Sequence, residues 1–258
     1  LLFQCQEAWR IRKGYGDKTT KQDFDMKGLA PNVSKIFSSV SKLECIKPFV
    51  LVGGTALSLQ LGTRLSEDLD FMRWKADKND RLEIDWPGIK RGLETIGKVE
   101  HVDILGFDHA LFTVDGVKLS FYAAPRKKLS AMREITIQNN LKVADVVSIG
   151  AMKMETMARR SRFRDYFDIY SVLKAGADFG KMVAMAISHS GYMLKEKNLL
   201  AILSNGERFR KEGQFKQLAP IYDVTATDIQ ACITEEIKKM RDKGASTAAV
   251  GGLDSQTS

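Results

Sequence analysis

Between positions 49 and 74 the chain reads FVLVGGTALSLQLGTRLSEDLDFMRW, and no other stretch limits its fold as strongly. Residues 49–52 are a short, β-branched apolar run of the kind that makes a buried strand. Gly53-Gly54 follows, where the backbone can turn sharply and approach a ligand with no Cβ in the way. Residues 55–61 read as a short helix, with Leu57 and Leu61 one turn apart, and Gly62 stops it. A strand that runs through a glycine turn into a helix N-terminus presents unpaired N–H groups, which suit phosphate. On the strand expected next, Asp68 and Asp70 share a face while Leu69 and Phe71 turn to the core. Two carboxylates on one face beside such a turn are a donor set for a hard divalent cation.

Taken singly, a Gly-Gly pair is a turn and an Asp-x-Asp is a solvated strand edge. Joined in one strand–turn–helix–strand unit they are far more specific. Two acids that face each other repel, and a fold tolerates this most readily with a cation between them.

The 258 residues suffice for a substantial core, in one large domain or two smaller ones. No apolar run reaches the length of a bilayer span, and residues 1–3 are too short for a signal segment, so no membrane role is expected. Three scattered cysteines without a paired spacing suggest reduced thiols and a cytoplasmic setting. A net charge of +8 suits a polyanionic partner.

Elsewhere the chain divides by periodicity. Helical spacing at Val33, Ile36, Phe37, Val40 and Leu43 predicts a helix capped by Asn32. Residues 89–96 predict another. Strands are expected over 99–105, 109–114 and 117–121, the last two joined by an Asp115-Gly116 hairpin turn, so the sheet is mixed. A further short strand pair is expected around Asn139-Asn140. Asp145 is a candidate N-cap for a helix reaching about Arg160, with Lys153 and Arg160 on one face. A second helix carries Asp165 and Asp168, with Arg164 spaced to pair with Asp168. Helices continue to about residue 240, and 244–258 reads as a disordered tail.

Gly53-Gly54, thirteen residues and then Asp68-Leu69-Asp70 resemble the nucleotidyltransferase signature, and the wording GGTALSLQLGTRLSEDLDF is similar to AbiEii/AbiGii-type nucleotidyltransferase toxins. Lys153 and Arg160, followed by Arg164-Asp165 and Asp168-Ile169-Tyr170, resemble that family's downstream motif. The resemblance implies an α+β fold: a nucleotidyltransferase-type mixed sheet flanked by helices, with a C-terminal helical domain. The expected division is an extension (1–30), a nucleotidyltransferase domain (31–144), a helical domain (145–243) and a tail (244–258).

It also implies transfer of a nucleoside monophosphate from an NTP to an acceptor hydroxyl, with RNA, and tRNA in particular, as acceptor. The setting would be a toxin–antitoxin or phage-defence system with a cognate antitoxin. Asp68 and Asp70 would hold Mg²⁺, with Mn²⁺ as the alternative. Gly53, Gly54, Thr55, Ser66 and Arg160 would bind nucleotide. Lys153 would face the leaving pyrophosphate, and Asp165 would orient or deprotonate the acceptor hydroxyl. Where such enzymes commonly carry a third carboxylate, this chain has Ser120, unless Asp103 or Asp115 leans in. Two competing readings are a catalytically silent NTP- or RNA-binding relative and an enzyme that modifies a protein hydroxyl.

Overall fold

The computed structural model describes residues 26–210 and 212–251. Most of the expected extension and the last seven residues of the expected tail lie outside the described residues. Helix α1 (Pro31–Val40) begins with proline in its first turn, and Ala30 occupies the cap position without a side-chain bond. Asn32, the expected cap, is therefore inside the helix. The fixed φ of Pro31 starts the helix two residues earlier than a cap at Asn32 would.

Strand β1 (Val50–Val52) runs directly into α2 (Gly53–Leu61), which ends at Gly62 in the left-handed conformation. Strand β2 (Asp68–Trp74) returns antiparallel to β1, with Val52 opposite Asp70. Helix α3 (Trp86–Glu94) starts at Asp85, whose carboxylate accepts the Gly88 N–H. Then come β3 (Val99–Gly106), β4 (His109–Val114) and β5 (Val117–Ala124), the last parallel to β2. Strands β6 (Glu134–Gln138) and β7 (Leu141–Ala144) form the second hairpin. The result is one mixed seven-stranded sheet, ordered β3-β4-β5-β2-β1-β7-β6.

Alternation along the central strands decides what each face does. Leu69 and Phe71 of β2 and Leu119 and Phe121 of β5 are buried, and the Phe71 and Phe121 rings stack at 5.0 Å. Asp68, Asp70, Ser120 and Tyr122 lie on the opposite face and stay partly exposed. One face is packed, and the other is a floor open enough to work on.

Helices α4 (Val146–Met157), α5 (Phe163–Lys174), α6 (Phe179–His189), α7 (Glu196–Leu203) and α8 (Ala226–Gly251) follow. Asp145 caps α4 as expected, accepting from the Val147 and Ser148 N–H groups. Helix α8 runs to Gly251, past the point where the sequence expects a tail to begin. None of the helices among the described residues is long and apolar enough to cross a membrane.

A buried polar chain fastens these helices to the sheet. Trp74 Nε1 donates to His189 Nε2 at 3.1 Å, and His189 Nδ1 lies 2.5 Å from Glu155 Oε2. An indole N–H can only donate, so His189 Nε2 accepts and the ring proton sits on Nδ1, directed at Glu155. The end of β2 is thereby tied to α4 and α6. Helix α4 cannot shift relative to the strand that carries Asp68 and Asp70 without breaking this chain.

Candidate active site

The site is built where β1 turns into α2. Gly53 has φ of +71°, and a Cβ there would lie 2.6 Å from Asp70 Oδ2. The positive φ favours glycine, and the close approach places the Asp70 carboxylate against the turn. No side chain caps α2, so its first N–H groups lack a side-chain acceptor at the end where a phosphate would sit.

Two residues expected to touch nucleotide do something else with their hydroxyls. Thr55 and Ser66 are buried, and their oxygens meet at 2.9 Å. Thr55 Oγ1 also bonds to the Asp68 carbonyl oxygen. They pin the turn to the start of β2, which leaves the Thr55 backbone N–H, and not its hydroxyl, to face a ligand.

Asp68 and Asp70 project from the same face, as their spacing predicts, and neither carboxylate has an ion-pair partner among the described residues. Burial, together with the Asp68 charge, pushes the Asp70 carboxyl above its usual range against the pull of Lys153, Arg160 and Arg164. A partly buried like-charge pair with no cation of its own is a donor set that fits a divalent ion. Ser120 lies directly beside Asp70 in the parallel β2–β5 register. Neither candidate replacement for the missing third carboxylate reaches it. Asp103 stands in the same row but three strands away, about 14 Å at normal strand spacing. Asp115 sits in the hairpin turn, where its carboxylate accepts the Lys98 N–H.

Behind the acids lies a buried ionic network. Arg64 donates from Nε and Nη2 to the two oxygens of Asp168, both at 2.8 Å. Lys153 Nζ bridges Asp168 at 2.9 Å and Asp165 at 2.7 Å. Arg160 grips Asp165 with two bonds, at 2.8 and 3.0 Å. Asp165 is thus fully buried with both oxygens engaged. Burial alone would raise its pKa, but Lys153 and Arg160 hold it at about 2. A carboxylate so committed is a poor proton acceptor, which departs from the role expected from sequence. The geometry makes it a holder of the two cations instead. Lys153 and Arg160 do come together, although Arg160 lies beyond the end of α4.

Asp168 pairs with Arg64 and Lys153, so the expected local pair with Arg164 does not form. Arg164 is left to act on Asp70. Sequence reading missed Arg64, whose partner is 104 residues away. Its only local signal was a charged residue beside the turn, and a Cβ on Gly54 would sit 2.7 Å from its Nη2.

The depressed Asp165 pKa carries a pH dependence. Its unfolded value is about 3.9, so its contribution to stability is complete above about pH 4 and disappears as pH falls toward 2. Urea midpoints measured from pH 6 to pH 2.5 should fall below pH 4, with a flatter profile in Asp165→Asn.

A model of the family described as nucleotidyl transferase AbiEii toxin, type IV TA system, matches residues 36–235. This chain belongs to that family. As a member, it is a nucleotidyltransferase, the toxin of a type IV toxin–antitoxin system. An uncharacterised protein of Aquifex aeolicus (strain VF5), aq_aa25, is 26% identical to it over 149 residues, covering 58% of this chain and 69% of that protein. Among solved structures, MenT4, a nucleotidyltransferase toxin of Mycobacterium tuberculosis H37Rv, resembles it with a TM-score of 0.51 at 16% identity. That likeness covers 80% of this chain and 79% of the other. At that identity it speaks for the fold, a mixed sheet flanked by helices, which this chain shares.

Proposed function

We propose that this AbiEii-family enzyme moves a nucleoside monophosphate from an NTP to an acceptor hydroxyl of RNA, with tRNA the first acceptor to test. One observation carries the reading: the Asp70 carboxylate lies against the Gly53 turn, so one ion held by Asp68 and Asp70 is within reach of a triphosphate seated on α2. Bound Mg²⁺, or Mn²⁺ in its place, would neutralise charge on the triphosphate during transfer.

The remaining work falls to the chain. The first N–H groups of α2 bind and orient the phosphates. Lys153 and Arg160, fixed by Asp165 and Asp168, place positive potential behind the acids, a preorganised field for charge that moves onto pyrophosphate. The acceptor oxygen bonds to the α-phosphorus, the bond from that phosphorus to the bridging oxygen of the β-phosphate breaks, and the acceptor proton leaves to solvent. The proposed division into a nucleotidyltransferase part and a helical part puts this site between β2 and the α4–α5 helices. A cognate antitoxin is the partner that family membership implies.

Incubation with Mg²⁺, each labelled NTP in turn and total tRNA tests the proposal. Label should move to RNA with at least one NTP. Label that appears only on protein, in an extract freed of nucleic acid, would establish the protein-modifying reading in its place. NTP binding without transfer to any acceptor would overturn the proposed reaction.

A further inference from the structure

The floor of the open sheet face continues past the acids. Tyr122 and His109 pair across β5 and β4, in the row that contains Met72 of β2. Asp70, Ser120 and Leu111 form a row two residues back, on the same face. The aromatic pair is therefore about 7 Å along the strands from the row of Asp70. Its rings meet edge to face, with centroids 5.6 Å apart, and both side chains are partly exposed. Ser120 Oγ lies 3.4 Å from His109 Nε2, so the two rows are linked by polar atoms.

Direction decides which substrate can use this surface. Because β1 runs antiparallel to β2, the Gly53 turn leaves Asp70 toward Asp68, away from Met72 and Tyr122. Phosphoryl-group transfer keeps attacking and leaving oxygens roughly in line. If pyrophosphate leaves on the Gly53 side, the acceptor must arrive from the Tyr122 side.

The rim has the matching charge. Arg159 and Arg126 are both exposed, with side chains 73% and 42% accessible, and both are drawn to the carboxylate of Glu155. They lie close enough to act on the Tyr122 phenol, as do the acids Asp108 and Glu155. Exposed aromatic faces beside arginines are how proteins hold single-stranded nucleic acid without reading its sequence.

We infer that Tyr122 and His109 form a stacking platform for the acceptor strand next to its reacting end, with Arg126 and Arg159 on its phosphates. This rests on the proposed reading of the acceptor as RNA. It adds a subsite that the two sequence motifs do not contain.

Fluorescence anisotropy with a short single-stranded RNA oligonucleotide, in the absence of NTP, tests the platform independently of catalysis. Tyr122→Ala should weaken binding roughly tenfold, and Tyr122→Phe should bind like the wild type, because the ring face and not the hydroxyl carries the stack. Arg159→Ala should reduce the slope of log affinity against log salt by about 0.7, the loss of one phosphate contact on a single strand. In transfer assays Tyr122→Ala should raise KM for RNA with KM for NTP unchanged. A raised KM for NTP would mean that the platform holds the incoming base, and it would overturn the inference. So would equal loss in the Phe variant or unchanged oligonucleotide binding. A wild type that binds the oligonucleotide through Tyr122 but labels no RNA would refute the proposed reaction and leave the platform standing.

Discussion

Asp70→Asn should lower nucleotide transfer by roughly a thousandfold or more while leaving the protein at least as stable as the wild type. The two halves of this expectation share one cause. The Asp70 carboxylate is held against Gly53 and beside Asp68, where burial and like charge push its pKa upward. An amide of the same shape relieves that repulsion but binds a hard cation far less well. Loss of charge stabilisation at a reacting phosphoryl group costs factors of this size. A residue that mattered only for folding would behave in the opposite way, with stability falling first. Thermal melts run beside labelled-NTP transfer assays separate the two.

Asp168→Ala should produce the largest loss of stability of any single change near the site, about 3–5 kcal/mol. Its carboxylate is the shared partner of Arg64 and Lys153, all three are buried, and its removal strips Arg64 of its carboxylate partner away from water and leaves Lys153 with Asp165 alone. For a chain of this size the melting temperature should drop by roughly 10 °C, as read by calorimetry. Asp165→Ala should cost less. One of its two partners, Arg160, has a side chain 43% accessible and can recover hydration. If the two variants melted together, the network would not be organised around Asp168.

The elements around the site were legible because their signals are local. The strand–glycine turn–helix unit, the Asp68/Asp70 face and the Asp115-Gly116 hairpin are each written within a few residues of one another. Asp145 was legible as a cap for the same reason. The parts that escaped the sequence are tertiary. Nothing near Arg64 points to Asp168, and nothing near Trp74 points to His189, since each of these two pairings spans more than a hundred positions. The motif resemblance singled out Lys153, Arg160 and Asp165, which ion pairs join, although Arg160 lies beyond the helix whose face was expected to hold it. It could not tell a carboxylate free to take a proton from one held by two cations, because that depends on burial. Residues 244–251 are helical and not a tail for a simpler reason: the lack of aromatics near residue 244 signals little to bury, while its alanines favour helix.

Thermal stabilisation by Mg²⁺ with NTP, measured on the wild type and on Asp70→Asn, tests most directly whether the two acids and the glycine turn form one site. The wild type should gain stability with the metal and nucleotide together, and much more than with nucleotide alone. Asp70→Asn should lose that metal-dependent gain while remaining folded. An equal gain in both proteins would place the metal elsewhere and contradict a site built on Asp68, Asp70 and the Gly53 turn.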